Sequence, residues 1–213
     1  MCSNVFIIGI AGASGCGKTY FADLLKKKMA STTVEIISCD NYYKPYPGGV
    51  KAPDDFNWDV PEVMELDLLE RHLLALKSGS TISVPKYDFL TSQRFQEPEK
   101  TVDGSIVRLV IVEGLFVLMI ESLRRLFDLK LFAWLDSDIC LARRLVRDVK
   151  ERGYSYEHTI HQYQTQVKPT YVNFIEPTKK YADLIVSSSE YTDSSVGLEV
   201  ICSFINKAVG LVG

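Results

Sequence analysis

Residues Gly12-Ala13-Ser14-Gly15-Cys16-Gly17-Lys18-Thr19 follow the spacing G-x-x-x-x-G-K-[ST]. The segment sits between an apolar run, Val5 to Ile10, and an amphipathic stretch, Tyr20 to Leu25. A strand, a glycine-rich loop and a helix in that order make a cradle for phosphate: successive N–H groups turn inward, and the helix N-terminus adds partial positive charge. Lys18 is placed to neutralise phosphate charge, and the Thr19 hydroxyl to ligate Mg²⁺. All eight residues are therefore candidate nucleotide-binding positions. A plain glycine-rich turn is the alternative, and the terminal Lys18-Thr19 pair argues against it. The glycines do not space as G-x-G-x-x-G, which excludes a dinucleotide fingerprint.

With 213 residues, 46% of them hydrophobic, the chain is sized for one core, and a single domain is expected over 1–213. No apolar run reaches the ~18 residues of a membrane span, and the first residues lead straight into a core strand. A soluble, unsecreted, cytoplasmic protein without a membrane partner is expected. Cys2, Cys16, Cys39, Cys140 and Cys202 are odd in number and lack C-x-x-C spacing, so neither a disulfide framework nor a zinc site is expected. Cys16 and Cys39 read as small core fillers. A net charge of −3 predicts no nucleic-acid partner. Basic residues nevertheless cluster at Arg143, Arg144, Arg147, Lys150 and Arg152.

Strand-like runs over 34–38, 107–112, 129–135 and 182–186 alternate with helical periodicities. Pro61 is placed in the first turn of a helix striped by Leu66, Leu69, Leu73 and Leu76, ending near Gly79. Ile82 to Pro85 reads as a short edge strand leading into a polar run from Tyr87 to Lys100. Asp138 is the expected cap of a long helix through Glu151, closed by Gly153. A further helix starts near Tyr156 and is interrupted near Pro169, and a last one covers 198–209. The alternation predicts an α/β fold: a P-loop NTPase-type parallel sheet with helices on both faces and a helical lid. Chemistry in such sheets gathers at the carboxyl ends of strands.

Three candidates meet there. Asp40, at the tip of the second strand, is placed to accept a proton from a hydroxyl aimed at the γ-phosphate; a Mg²⁺ or helix-capping role is the alternative. Glu113 closes an apolar strand and would hold Mg²⁺ directly or through water, with Gly114 letting a ligand approach. The arginine segment, at 143–156, reads as a lid closing over ATP, with Arg147 and Arg152 meeting charge on the transferred group. Taken alone it would read as a solvated helix face.

Several spaced segments together resemble the uridine/cytidine kinases over nearly the whole chain. They are the loop itself, Ser38-Cys39-Asp40-Asn41-Tyr42-Tyr43, Asn57-Trp58-Asp59-Val60-Pro61, Pro85-Lys86-Tyr87-Asp88-Phe89, Ala142 to Gly153, Gln162-Tyr163, and Pro177 to Asp183. The resemblance implies Asp40 as the catalytic carboxylate, Asp59 as a ribose-hydroxyl acceptor and Tyr87 facing the nucleobase. Tyr43, Arg144 and Gln162 complete the implied substrate set. It also implies a nucleoside-binding insertion over about 41–104, a homotetramer, and transfer of the γ-phosphate of ATP or GTP, with Mg²⁺, to a pyrimidine ribonucleoside 5′-hydroxyl. A related kinase of another riboside or of a sugar phosphate, and a regulatory nucleotide-binding protein, are the alternatives. Three departures bear on specificity. Ser92 stands where the family commonly has histidine, Tyr154 where arginine usually follows Glu-Arg-Gly, and Ser187-Ser188-Ser189 where Pro-Arg-Gly is frequent. His72, His158 and His161 are expected in surface or packing roles.

Overall fold

The computed structural model describes residues 5–187 and 196–210. β1 (Phe6–Gly12) runs through the phosphate-loop segment into α1 (Lys18–Lys28), and β2 (Val34–Ser38) leads to a 3₁₀ turn (Cys39–Tyr42). Next come a second 3₁₀ turn (Pro47–Gly49), a third (Pro61–Val63) and α2 (Leu66–Lys77). Four short strands follow: β3 (Thr81–Val84), β4 (Tyr87–Asp88), β5 (Gln93–Arg94) and β6 (Lys100–Asp103). β7 (Leu109–Glu113), α3 (Glu121–Leu126), β8 (Leu129–Trp134) and α4 (Ser137–Arg152) complete the central run.

Beyond it, α5 (Tyr156–Gln162) continues without a break into wider π turns (Tyr163–Val167 and Tyr171–Ile175) on either side of α6 (Lys168–Thr170), then a 3₁₀ turn (Glu176–Tyr181). β9 (Leu184–Ser187) and α7 (Val196–Ala208) follow.

Among the described residues the main sheet has five parallel strands in the order β2-β7-β1-β8-β9. Alternation along β1 sends Ile7 to one core and Ile8 and Ile10 to the other. The first core joins α2 and α3 through Leu66, Leu69, Leu73, Leu76 and Leu123; the second joins α1 and α7 through Phe21, Leu25, Ile201 and Ile205. The expected α/β class, with helices on both faces, is borne out. Cys16 and Cys39 are fully buried in these cores, as expected of small fillers.

Several local expectations are corrected. Pro61 opens its own 3₁₀ turn, and α2 starts five residues later, after Glu65. The stretch from 81 to 103 forms two separate antiparallel pairs, β3 with β6 and β4 with β5. Asp138 lies inside the first turn of α4, and Asp136 holds the cap position, its carbonyl accepting from Cys140 N–H at 3.0 Å. Gly153 does close α4, with a left-handed φ of 72°. Pro169 does not interrupt its helix. Proline removes one N–H and crowds the carbonyl four residues back, and the flanking π turns widen the ladder around it. Positions 188 and 189 of the serine run lie outside the described residues.

Candidate active site

The parallel register sets the floor of the site. Ile10 and Ser38 both pair with Glu113, so β2 and β7 end level and β1 runs two residues further, to Gly12, before the loop. The loop after β1 turns on Gly15 (φ 79°) and Gly17 (φ 91°), conformations that residues with a Cβ rarely adopt. A Cβ on Gly15 would also lie 2.4 Å from the Cys140 carbonyl oxygen.

Above these tips is a cleft of about 320 Å³. Ser14, Gly15, Gly17, Lys18 and Thr19 line it from the loop, and Asp40 and Glu113 from the neighbouring strand tips. Tyr43, Asp59, Tyr87 and Gln162 line its other end, while Arg144, Arg147 and Arg152 reach it from α4. Three of the loop candidates stand apart. Gly12 packs against Ala133, Ala13 borders a second cavity, and the Cys16 side chain is in the core, leaving only its backbone near the loop.

At the phosphate end, Lys18 is nearly buried and its Nζ donates to Ala13 O at 2.9 Å. Ser38 Oγ donates to Glu113 Oε1 at 2.7 Å, and the Thr19 hydroxyl also reaches Glu113. Burial, reinforced by the Asp40 carboxylate, pushes the Glu113 pKa above the usual carboxylate range, against the opposing pull of Lys18. Such a carboxylate gains from a cation. Two carboxylates and hydroxyls beside a phosphate cradle match Mg²⁺, which prefers few protein ligands plus phosphate and water. Among the described residues no three His, Cys, Asp or Glu side chains gather as a metal cage. The space beside Gly114 is taken by Cys39: a Cβ at Gly114 would lie 2.2 Å from Cys39 Cβ, so this glycine serves packing and not ligand approach.

The other end of the cleft is an aromatic box. Tyr43 contacts Trp58, Tyr87 and Phe89 with ring centroids 5.7, 5.4 and 5.8 Å apart. Buried Asp59 lies 3.6 Å from Arg144 Nη1, and burial raises its pKa despite that guanidinium. Arg144 also donates from Nη1 to Ser14 Oγ at 3.0 Å and from Nη2 to Gln162 Oε1 at 2.7 Å. Ser92 is buried at the cleft with a left-handed φ of 58°. Beside it the buried Tyr87 hydroxyl makes no well-aligned hydrogen bond, and burial lifts its pKa to about 12. Tyr154 lines the cleft and stacks on His158 at 4.7 Å, so His158 has a packing role behind a cleft residue. His72 binds the Tyr42 hydroxyl through Nδ1 at 2.9 Å, and His161 is exposed.

Lys150, grouped with the arginines by spacing, is exposed and outside the cleft. At about 100° per residue it points some 120° away from Arg144, whereas Asp148 and Arg152 stay within about 80°. Sequence reasoning passed over Asp148, which is fully buried among the arginines. Its signal was there: an acid four residues after Arg144 and four before Arg152. Trp58 and Phe89, quoted only as neighbours of site residues, also line the cleft.

No helix among the described residues is long and apolar enough to cross a membrane. Comparison with known proteins follows the same outline. The chain is similar to the phosphoribulokinase of Rhodobacter spheroides, with a TM-score of 0.62 and 20% identity over 88% of this chain and 74% of that one, a likeness of fold. It is 38% identical to a uridine kinase of Macrococcus caseolyticus over 97% of this chain and 98% of that protein. It is 37% identical to a uridine kinase of Schizosaccharomyces pombe, over 98% of this chain but only 45% of that longer protein. The profile of the "Phosphoribulokinase / Uridine kinase family" matches residues 7–195, and the chain belongs to that family.

Proposed function

We propose that this protein is a uridine/cytidine kinase, moving the γ-phosphate of ATP or GTP to the 5′-hydroxyl of a pyrimidine ribonucleoside. One observation carries the reading. The strand-tip acid Asp40 shares a single cleft with Lys18 and Thr19 on one side and with Asp59, Gln162 and an aromatic box on the other. A triphosphate cradle and a pocket for a flat ring thus face each other across a potential base. The names of the full-length relatives support the same substrate. A sugar phosphate would make poor use of four aromatic walls, which disfavours a phosphoribulokinase-like acceptor.

In this reading the loop from Gly12 to Thr19 cradles the phosphates, with Lys18 as their counter-charge. Asp59 and Gln162 orient the ribose hydroxyls, Tyr43 and Tyr87 flank the base, and Asp40 takes the proton from the 5′-hydroxyl as the oxygen attacks. Arg147 and Arg152 meet charge on the transferred group, Arg144 stands on the acceptor side beside Asp59 and Gln162, and the aromatic walls keep water from competing. Thr19 and Glu113 would hold Mg²⁺, which supplies charge neutralisation on the phosphates. The assignment extends to one kinase domain over 1–213, an acceptor-binding insertion at about 41–104, a lid at about 143–156, and a cytoplasmic homotetramer serving pyrimidine salvage. Direct detection of phosphorylated product, over a panel of nucleosides with MgATP and MgGTP, tests it. Uridine and cytidine should be converted and 2′-deoxynucleosides should be poor. Strong turnover of a non-pyrimidine acceptor, with none of uridine or cytidine, would replace the reading.

A further inference from the structure

Asp148 is fully buried, does not line the cleft, and has three guanidiniums against its carboxylate. Its Oδ1 accepts from Arg147 Nε at 2.9 Å and lies 2.8 Å from Arg147 Nη2 and 3.5 Å from Arg152 Nη1. Its Oδ2 lies 3.1 Å from Arg144 Nε, off the N–H axis, so that contact is an ion pair without a hydrogen bond. Three guanidiniums that repel one another therefore share one anion. Arg152 feels the crowding: burial, then the charge of Arg147, lower its pKa. An isolated carboxylate in such a place would be strongly disfavoured, and these arginines are what make it tolerable.

The three arginines face different parts of the cleft. Arg144 touches the acceptor side through Asp59 and Gln162 and the loop through Ser14. Arg152 lies over the Phe89 ring at 4.6 Å, and Arg147 lines the open cleft. We propose that Asp148 is a positioning residue for phosphoryl transfer: its buried carboxylate gathers Arg144, Arg147 and Arg152 into one array, joining the acceptor-facing guanidinium to those that meet the phosphates. The inference rests on the kinase reading above but makes a separate demand on the molecule. By net charge alone, removing this anion makes the cleft more positive and should tighten phosphate binding. By positioning, its removal loosens the array and weakens binding.

The test compares Asp148→Asn, which keeps the shape and removes the charge, with Asp148→Glu, Arg147→Ala and the double variant Arg147→Ala/Asp148→Asn. Titration with inorganic tripolyphosphate needs no acceptor. Its dissociation constant should rise about tenfold in Asp148→Asn, the worth of one misplaced charge-assisted hydrogen bond. With uridine and MgATP, kcat should fall about 10²-fold, as expected when reacting groups are misplaced by about an ångström. The uridine KM should stay within about threefold, the split expected of an interaction made in the transition state. Asp148→Glu should recover part of kcat. In the Arg147→Ala background Asp148→Asn should cost much less than it does alone, because it acts through the arginines. Equal costs in both backgrounds, or unchanged or tighter tripolyphosphate binding, would overturn the proposal. If Asp148→Asn does not fold, Asp148→Glu decides: a wild-type kcat there sinks it, and a kcat-specific loss in a folded variant supports it. If the wild-type protein ignores uridine while tripolyphosphate binding responds as stated, the nucleoside reading fails and the positioning role stands.

Discussion

The two ends of the cleft are built differently. The phosphate end is made of backbone and strand tips: one contiguous loop, then Glu113 at the end of β7 and Asp40 in the turn just past β2, whose last residue pairs with Glu113. The acceptor end is made of side chains from scattered segments, Tyr43, Trp58, Asp59, Tyr87, Ser92, Arg144, Tyr154 and Gln162, carried on turns, two-residue strands and helices. A site built on a sheet is held by many hydrogen bonds and tolerates little change. One built from side chains on loops can change substrate choice without disturbing the chemistry.

Substitutions at each end should expose this difference. The largest effect belongs to the loop. Lys18→Ala should reduce turnover below detection while the protein still unfolds cooperatively, since the variant gives up the side-chain hydrogen bond to Ala13 O and the attraction of Lys18 for Glu113 but leaves the core intact. A folded variant with normal turnover would break both the comparison and the kinase reading. Next, Asp40→Asn should lower kcat about 10²–10⁴-fold, the usual range for a positioned base, with MgATP affinity unchanged. Collapse of MgATP binding would instead make Asp40 a metal ligand.

Glu113→Gln should cost about 10–100-fold in activity, the typical loss when groups at a metal site are altered. It should also raise the stability of the nucleotide-free protein. Burial and Asp40 raise the folded pKa of Glu113, so its ionised form costs stability at pH values above that pKa, and the cost fades as pH falls through it. The stabilisation by glutamine should therefore show at neutral pH and shrink in acid, as thermal melts across pH would reveal. The smallest effect is expected at the acceptor end. Ser92→His should alter the preference among nucleosides several-fold, leaving kcat on the best substrate within about threefold, since specificity there rests on hydrogen bonds to one edge of a ring. A collapse of kcat for every nucleoside would mean that the two ends are not separable.

Legibility followed the same division. The loop spacing, the acids just past β2 and at the end of β7, and the leucine stripe of α2 could be read because each is a local pattern with its own periodicity or order. The pairing of β3 with β6 joins segments about twenty residues apart through four-residue strands, too short for alternation to declare them. Pro169 looked like a helix end because its local cost was visible and the π turns that absorb that cost were not. Lys150 and Asp148 were misjudged together: basic spacing was followed, and the acid on the same face was overlooked.

By itself the amino-acid sequence determined the order of the main-sheet strands and the longer helices, the phosphate-loop geometry and the chemical types available at the strand tips, since glycine freedom, periodicity and charge are properties of neighbours in the chain. Only the tertiary structure decided which of those groups share a cleft, that Gly114 serves Cys39, and that one buried carboxylate holds three arginines. Those outcomes depend on burial and on distances between segments far apart in sequence. A charge gains strong partners only after packing has excluded the water that would otherwise screen it.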